Sequence, residues 1–353
     1  MDNHSTTSEL AQLDRTILDL LARRREVLRR AHEDEPASAP FEDPEATLRA
    51  VLDEAPAALP ESFVRAVYTE ILSDACAMLT PTTVAFFGSV ATFTHQAALQ
   101  KFGRSVPAVP QKTIGDVFDA VTRGEATFGV VPVENSTEGA VTHTLDMFLD
   151  ARVSICAEIY MRIHHNLLAA CPTEDIRCVY SHPQVFGQCR RWLRDNLPGI
   201  PLVEMSSTTE AVMRCREEPR AAALASELAS EEYGVPIRAR RVEDFQDNTT
   251  RFLVLSKAPP QAQPENDKIS MLFAVRDRPG ALYDCLQPLH RHKVNMTMIE
   301  SRPSKRRSWE YCFFVDLLGK LTDPDLQSAL DELRTHCEFV TVLGNYPQAT
   351  PTE

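Results

Sequence analysis

The stretch GVVPVENSTEG, residues 129–139, runs from a β-branched segment straight into short polar side chains. Val130, Val131 and Val133 suit a buried strand over 127–134, and the residues that follow suit a loop leaving its carboxyl end. Open α/β sheets bind ligands at such strand ends. A helix is expected over 139–150, which gives the loop two readings. Ser136 or Thr137 is the N-cap of that helix, or the loop and the helix's free N–H groups together receive a carboxylate or phosphate.

The design recurs along the chain. Tyr180-Ser-His-Pro-Gln184 follows a strand at 178–181, with Gln188 one turn beyond Gln184 on a helix over 184–196. Gly88–His95 follows a strand at 84–88 and carries Thr92, Thr94 and His95. In QDNTTRFLVLS, residues 246–256, Asn248, Thr249, Thr250 and Arg251 precede the strand Phe252–Leu255. Strands at 153–161 and 221–225, with helices at 94–102, 114–123, 208–217 and 226–232, complete an alternating α/β pattern. Four polar loops over one sheet describe a cleft for a small anionic molecule.

Two different patterns flank this region. Residues 8–80 read as helical, with Leu10, Leu13, Ile17, Leu20, Val27 and Ala31 forming a packed seam on the first helix. Arg24 falls on that seam, where a guanidinium is costly unless an anion or a carboxylate meets it. Pro36–Pro40 ends the helix, and two more follow near 43–54 and 61–79. Beyond the linker 257–267, strand 268–276, helix 280–292, strands 295–302 and 309–317, helix 323–336 and strand 338–343 give the ferredoxin-like order β-α-β-β-α-β. That unit is small enough to be a module for regulation or dimerisation.

Bulk properties narrow the classes. A net charge of −13 opposes non-specific nucleic-acid binding. No apolar run approaches a membrane span, and MDNHSTTSEL lacks the regions of a signal peptide. Nine cysteines without a CxxC pair fit reduced cytoplasmic thiols, with neither a disulfide framework nor a metal site expected. GxGxxG, P-loop, HExxH and GxSxG are all missing, so the chemistry expected is acid–base or electrostatic and needs no cofactor.

The order GVVPVENSTEG, VYSHPQ with Gln188-Cys189, TTRFLVL, then GALY and IESRP resembles prephenate dehydratases with a C-terminal ACT domain. The helices before it make the whole resemble the bifunctional chorismate mutase–prephenate dehydratase family. The resemblance implies an all-α mutase-like domain over 1–80, a two-lobed α/β dehydratase domain of periplasmic-binding-protein type over 82–258, and an α+β ACT domain over 268–347. It implies loss of water and carbon dioxide from prephenate to give phenylpyruvate, in the cytoplasm and on the route to phenylalanine. Thr250 would then be central and Arg251 poised for a substrate carboxylate. Thr92, Glu134, Asn135, Ser136, Thr137, Ser181, Gln184 and Gln188 would line the cleft. Gly280, Ala281, Leu282, Asn295, Glu300, Ser301, Arg302 and Pro303 would bind L-phenylalanine between paired ACT domains of a homodimer or homotetramer.

The chain departs from the family pattern in two places. Gly88-Ser-Val-Ala-Thr-Phe-Thr94 stands where the family has Gly-Pro-x-Gly-Thr-Phe-Ser, so Ala91 replaces a glycine. That matters if position 91 needs a positive φ. Arg24 matches a mutase arginine, but Thr7, Glu35, Ala46-Thr47 and Leu79 stand at other mutase positions. Chorismate is anionic, so weak or lost mutase activity is expected. The alternatives are a decarboxylating relative and a non-catalytic sensor of aromatic acids.

Overall fold

The computed structural model describes residues 3–34, 44–150, 152–259, 265–275, 278–303 and 311–349. Glu35 and the Pro36–Pro40 break lie outside them. The chain divides into two compact units, Met1–Thr82 with Leu99–Pro107, and Thr83–Ala98 with Ala108–Glu353.

The first unit holds α1 (Asn3–Asp34), α2 (Pro44–Glu54) and α3 (Glu61–Leu79). Val64, Leu72 and Ala75 of α3 are buried, and Leu28 of α1 joins them. The buried Ser73 hydroxyl accepts the backbone N–H groups of Ser105 and Val106 at 3.0 and 3.2 Å, which ties down that segment. Arg25 pairs with Asp74 at 2.9 Å. The expected seam of α1 is not packed within the chain. Leu10, Leu13, Ile17, Leu20 and Val27 are each more than half exposed.

In the second unit the first lobe has β1 (Val84–Phe87), α4 (Phe93–Phe102, its last turn belonging to the first unit), β2 (Ala108–Gln111), α5 (Ile114–Arg123), β3 (Phe128–Asn135), β4 (Gly139–Ala140), α6 (Thr142–Met147) and β5 (Ser154–Arg162). The second lobe has β6 (Asn166–Ala169), β7 (Cys178–Ser181), α7 (Pro183–Gln188), α8 (Arg190–Asn196), β8 (Leu202–Glu204), α9 (Thr208–Glu217), β9 (Ala221–Ala225), α10 (Glu227–Tyr233) and β10 (Ile237–Ala239). The chain then returns to the first lobe as β11 (Thr249–Ser256), giving sheets ordered β2-β1-β3-β11-β5 and β10-β6-β9-β7-β8. It crosses between lobes twice, at 163–165 and 240–248. The two crossings bond each other through Ile163 N–H to Asn248 O and Val242 N–H to His165 O, both 2.8 Å.

β12 (Lys268–Val275), α11 (Ala281–Arg291), β13 (Met296–Pro303), β14 (Tyr311–Leu318), α12 (Pro324–His336) and β15 (Phe339–Tyr346) form the ferredoxin-like unit, with strand order β13-β14-β12-β15. Every residue of β12 is buried. Ile269, Met271 and Phe273 face Cys285, Leu289, Leu326 and Leu330 of its own helices. Leu272 and Ala274, with Phe314, Leu343 and Tyr346, join one core with Phe118, Phe148, Leu253 and Leu255 of the first lobe. A strand apolar on both faces must be covered on both. The module read from sequence therefore shares its core with the α/β region. Gly344 lies so close to β5 that a Cβ there would overlap the Ile155 carbonyl oxygen.

Candidate active site

Thr250, the second residue of β11, lies opposite Asn135, the last residue of β3. Directly paired residues project from the same face of a sheet, and here they touch: Asn135 Nδ2 donates to Thr250 Oγ1 at 2.8 Å and to Asn248 Oδ1 at 2.8 Å. The orientation of the Asn135 amide is fixed by its other end. Its Oδ1 accepts the N–H groups of Thr137 and Glu138 at 3.0 and 3.1 Å, and the Thr137 hydroxyl at 2.6 Å. Thr250 Oγ1 is thus an acceptor toward Asn135, and its own proton is donated to nothing among the described residues. A hydroxyl polarised by an incoming hydrogen bond is a better donor outward.

The loop after β3 does not open a helix. It turns back as β4, with Asn135 paired to Gly139, and α6 begins only at Thr142 behind an N-cap at Val141. Neither the N-cap reading nor the helix-dipole reading of Ser136 and Thr137 holds. Thr137 locks Asn135. Ser136 Oγ accepts Thr249 N–H at 3.0 Å and lies 3.3 Å from Asp247 O, fastening the loop to the approach of β11.

From the second lobe comes Gln188, at the end of α7. Its Oε1 lies 2.7 Å from His165 Nε2 and 3.3 Å from Asn248 Nδ2, and its Nε2 lies 3.5 Å from Glu138 Oε1. Asn135, Thr137, Gln188 and Thr250 therefore belong to one hydrogen-bonded cluster between the lobes. Gln184 is exposed on the same helix, its backbone N–H capped by His182 Nδ1 at 3.3 Å.

Three other expected residues are placed by their bonds and register. Ser181 is fully buried and donates to Leu224 O at 2.9 Å, so it braces β7 against β9 and does not line the cleft. Thr92 Oγ1 donates to Ser89 O at 2.8 Å and lies 3.4 Å from the His95 N–H that opens α4. Glu134 is opposite Arg251 in register, which by strand alternation puts it on the face away from Thr250.

Arg251 requires the largest correction. It is 2% exposed and turned from the cleft into the contact with the ferredoxin-like unit. Its Nε meets Glu158 Oε2 at 2.7 Å, Nη1 meets Asp316 Oδ2 at 2.5 Å, and Nη2 donates to Tyr346 Oη at 3.1 Å. Lys268 Nζ lies 2.8 Å from the same Glu158 oxygen. Ser270 joins Asp316 and Tyr346, each at 2.5 Å. Burial works against the charge on Arg251, but Asp316, Tyr346 and Glu158 outweigh it and hold its pKa above the ordinary value. No part of the guanidinium remains for a substrate. Sequence position alone could not separate Arg251 from Thr250; the strand period does, once Thr250 is set on the cleft face.

The ACT-type residues split between two ends of a strand. Gly280 caps α11 at φ 80°, ahead of Ala281 and Leu282, and Asp277 lies outside the described residues. Glu300, Ser301, Arg302 and Pro303 lie on β13, whose far edge pairs with nothing among the described residues. Arg302 shares a row with Cys312 and Ala274, whereas Asn295 sits at the opposite end, its carbonyl accepting Leu318 N–H. Arg302 Nε also pairs with Asp146 of α6 at 2.8 Å.

The family model for prephenate dehydratase matches residues 84–260, and that for the ACT domain matches 270–335. A bifunctional chorismate mutase/prephenate dehydratase of Aquifex aeolicus is 42% identical over 97% of this chain and 96% of its own. The chain belongs to the bifunctional chorismate mutase/prephenate dehydratase family. A prephenate dehydratase from Arthrobacter aurescens, solved in complex with L-Phe, is 31% identical with a TM-score of 0.71, over 77% of this chain and 92% of that one. A structure described as a novel type of quorum-quenching acylase is 32% identical with a TM-score of 0.69, over 76% of this chain and 98% of that one. The family's dehydratase fold and its ACT domain are thus both present.

Two nucleophile candidates of the second lobe are held away from acyl-transfer chemistry. Ser181 Oγ points into the second lobe and His182 Nδ1 caps α7, so the two form no nucleophile–base pair. The buried Cys215 thiol is pushed up to about 12 by burial, far from a thiolate at neutral pH.

Proposed function

We propose that the chain converts prephenate to phenylpyruvate, water and carbon dioxide, with Thr250 donating a hydrogen bond to the departing ring hydroxyl. The observation that carries this is the Asn135–Thr250 bond, which spends the oxygen of Thr250 as an acceptor and leaves its proton for a ligand. As the C–O bond breaks, the hydroxyl leaves with a proton as water. The ring carboxylate leaves as carbon dioxide, and its bonding pair enters the ring to complete aromatisation. One proton is taken up from solvent overall. Gln184 and Gln188 offer amide N–H groups for the carboxylates in place of the Arg251 guanidinium. Purified protein given prephenate should yield phenylpyruvate. A non-aromatic decarboxylated product would favour the decarboxylating relative, and binding without turnover the sensor.

The same reading gives the other domains their roles. Thr7, Ala46, Thr47 and Leu79 supply no cation for a dicarboxylate. Arg24 shares a shallow groove with Leu20, Arg23, Val27 and Leu28. Chorismate should therefore rearrange slowly or not at all. The exposed apolar face of α1 and the open edge of β13 both fit a second copy of the chain. A second copy set antiparallel along β13 would bring its Gly280 end beside Asn295, completing a site for L-phenylalanine. That ligand should inhibit turnover, and light scattering should give an even number of chains. Nine cysteines without a CxxC pair support a cytoplasmic location. Among the described residues no helix is long and apolar enough to cross a membrane.

A further inference from the structure

His165 lies in the first crossing between the lobes and is 1% exposed. Its ring meets Phe93 of the first lobe edge-on, with centroids 5.4 Å apart, and its Nε2 meets Gln188 of the second lobe. Its backbone N–H is held by Glu243 Oε2 at 2.9 Å, and Glu243 Oε1 holds His164 Nδ1 at 2.7 Å. Glu243 is on the returning crossing, so both crossings fix the position of the ring.

The direction of each hydrogen bond from this ring to Thr250 follows from the backbone. The Thr137 and Glu138 N–H groups make Asn135 Oδ1 an acceptor. Asn135 Nδ2 must then donate, to Thr250 Oγ1 and to Asn248 Oδ1. Asn248 is left with Nδ2 to offer, so Gln188 Oε1 is an acceptor. An acceptor facing His165 requires the proton on Nε2. His165 Nδ1 is then bare, and it has no partner among the described residues. A charged ring would bury a second N–H without an acceptor, so the ring is held neutral as the Nε2–H tautomer.

We propose that His165 is a positioning residue for the dehydratase reaction: its Nε2–H pins the Gln188 amide with oxygen inward and N–H groups toward the cleft, completing the chain that keeps the Thr250 proton directed at substrate. This rests on the reading of Thr250 given above. Without the imidazole donor, the Gln188 amide keeps only the longer contacts to Asn248 Nδ2 at 3.3 Å and Glu138 Oε1 at 3.5 Å, and can rotate. Its N–H groups would then face Asn248 Nδ2, donor against donor, and the order that reaches Thr250 through Asn135 would be lost.

His165→Phe keeps the ring against Phe93 and removes the donor, while His165→Gln places an amide N–H where Nε2–H was. In His165→Phe, kcat for prephenate should fall on the order of 10²-fold, the scale of a misplaced catalytic group. His165→Gln should recover most of that loss, and in a Gln188→Leu background His165→Phe should cost little more. Equal loss in both His165 variants, full activity in folded His165→Phe, or additivity with Gln188→Leu would overturn the proposal. If His165→Phe does not fold, ¹⁵N NMR of histidine-labelled wild-type protein decides. A protonated Nε2 and bare Nδ1 at neutral pH are expected, and the opposite tautomer or a charged ring would overturn the proposal. Wild-type protein forming no phenylpyruvate would instead sink the functional reading, while the tautomer would still report the order of the chain.

Discussion

Thr250 and Arg251 are neighbours on one strand, yet they belong to two polar clusters built on opposite principles. The cluster at Thr250 is built mainly of neutral amides and hydroxyls, and ends on a proton with no acceptor among the described residues. The cluster at Arg251 has two cations and two carboxylates, all at most 4% exposed, and closes on itself through Ser270 and Tyr346. A saturated charged network supports structure, since every group in it has lost its water and gained a partner. A network with an unspent donor is prepared for a ligand. The two abut at one peptide bond, where the strand carrying Thr250 meets Asp316 and Tyr346 of the ACT sheet through Arg251.

Removing Arg251 should give the largest effect. Arg251→Met leaves Glu158 and Asp316 buried with Lys268 as their only cation among the described residues, and should cost about 3–5 kcal/mol of stability. Urea denaturation reads the loss. If Arg251 bound substrate instead, the variant would keep its unfolding midpoint and show a raised KM. Thr250→Ala should do the reverse. It removes one donor to the leaving group and should lower kcat by about 10²–10³-fold, with prephenate still bound and the unfolding midpoint nearly unchanged. Full activity in Thr250→Ala would break the comparison at its centre.

Pattern was enough to read the architecture because it depends on period and punctuation. The helix 61–79, the strands 178–181 and 221–225 and the helices 114–123 and 208–217 stand at the expected residues. The short strands β2, β6, β8 and β10 escaped: three or four residues without alternation carry too little signal. β4 escaped because a two-residue strand exists only through its pairing with β3. Within the site, Asn135 follows from residue type and position after a strand, Gln188 from its place one turn beyond Gln184, and Thr250 from the family resemblance. Which way Ser181 and Arg251 turn depends on the parity of each strand relative to a cleft between two lobes. His165 left almost no trace, since a histidine beside another in a crossing looks the same whether it orders an amide or fills space.

The neutral cluster should also respond to pH in a way the charged one does not. Burial lowers the pKa of His165 below its ordinary 6.5, against opposing contributions from Gln188 and Glu243. Below about 6.5 the unfolded chain takes up a proton that the folded chain refuses, so folding stability falls as pH falls through that window. The slope from this one group is at most about 1.4 kcal/mol per pH unit. His165→Gln should remove that component from the pH dependence of the urea midpoint between neutral and mildly acidic pH. An unchanged slope would mean that the folded ring takes up its proton as readily as the unfolded chain does.

Ala91, where the family has glycine, tests how tightly the second lobe holds the loop after β1. It has φ 66° and is 1% exposed. The second lobe grips its neighbourhood through Ser226 Oγ on Ala91 O and Thr209 Oγ1 on Val90 O, both 3.1 Å, while Ala91 N–H donates to His95 Nδ1 at 3.1 Å. A left-handed alanine is strained by about 1–2 kcal/mol. Replacing it by glycine would relieve that, but would lose about 0.8 kcal/mol of methyl burial and add about 0.4–1 kcal/mol of unfolded-state entropy. These nearly cancel, so Ala91→Gly should leave stability within about 0.5 kcal/mol of the parent, with any change appearing in KM. A loss beyond about 1.5 kcal/mol would show that the buried methyl, more than the hydroxyl bonds from Thr209 and Ser226, keeps the loop in place.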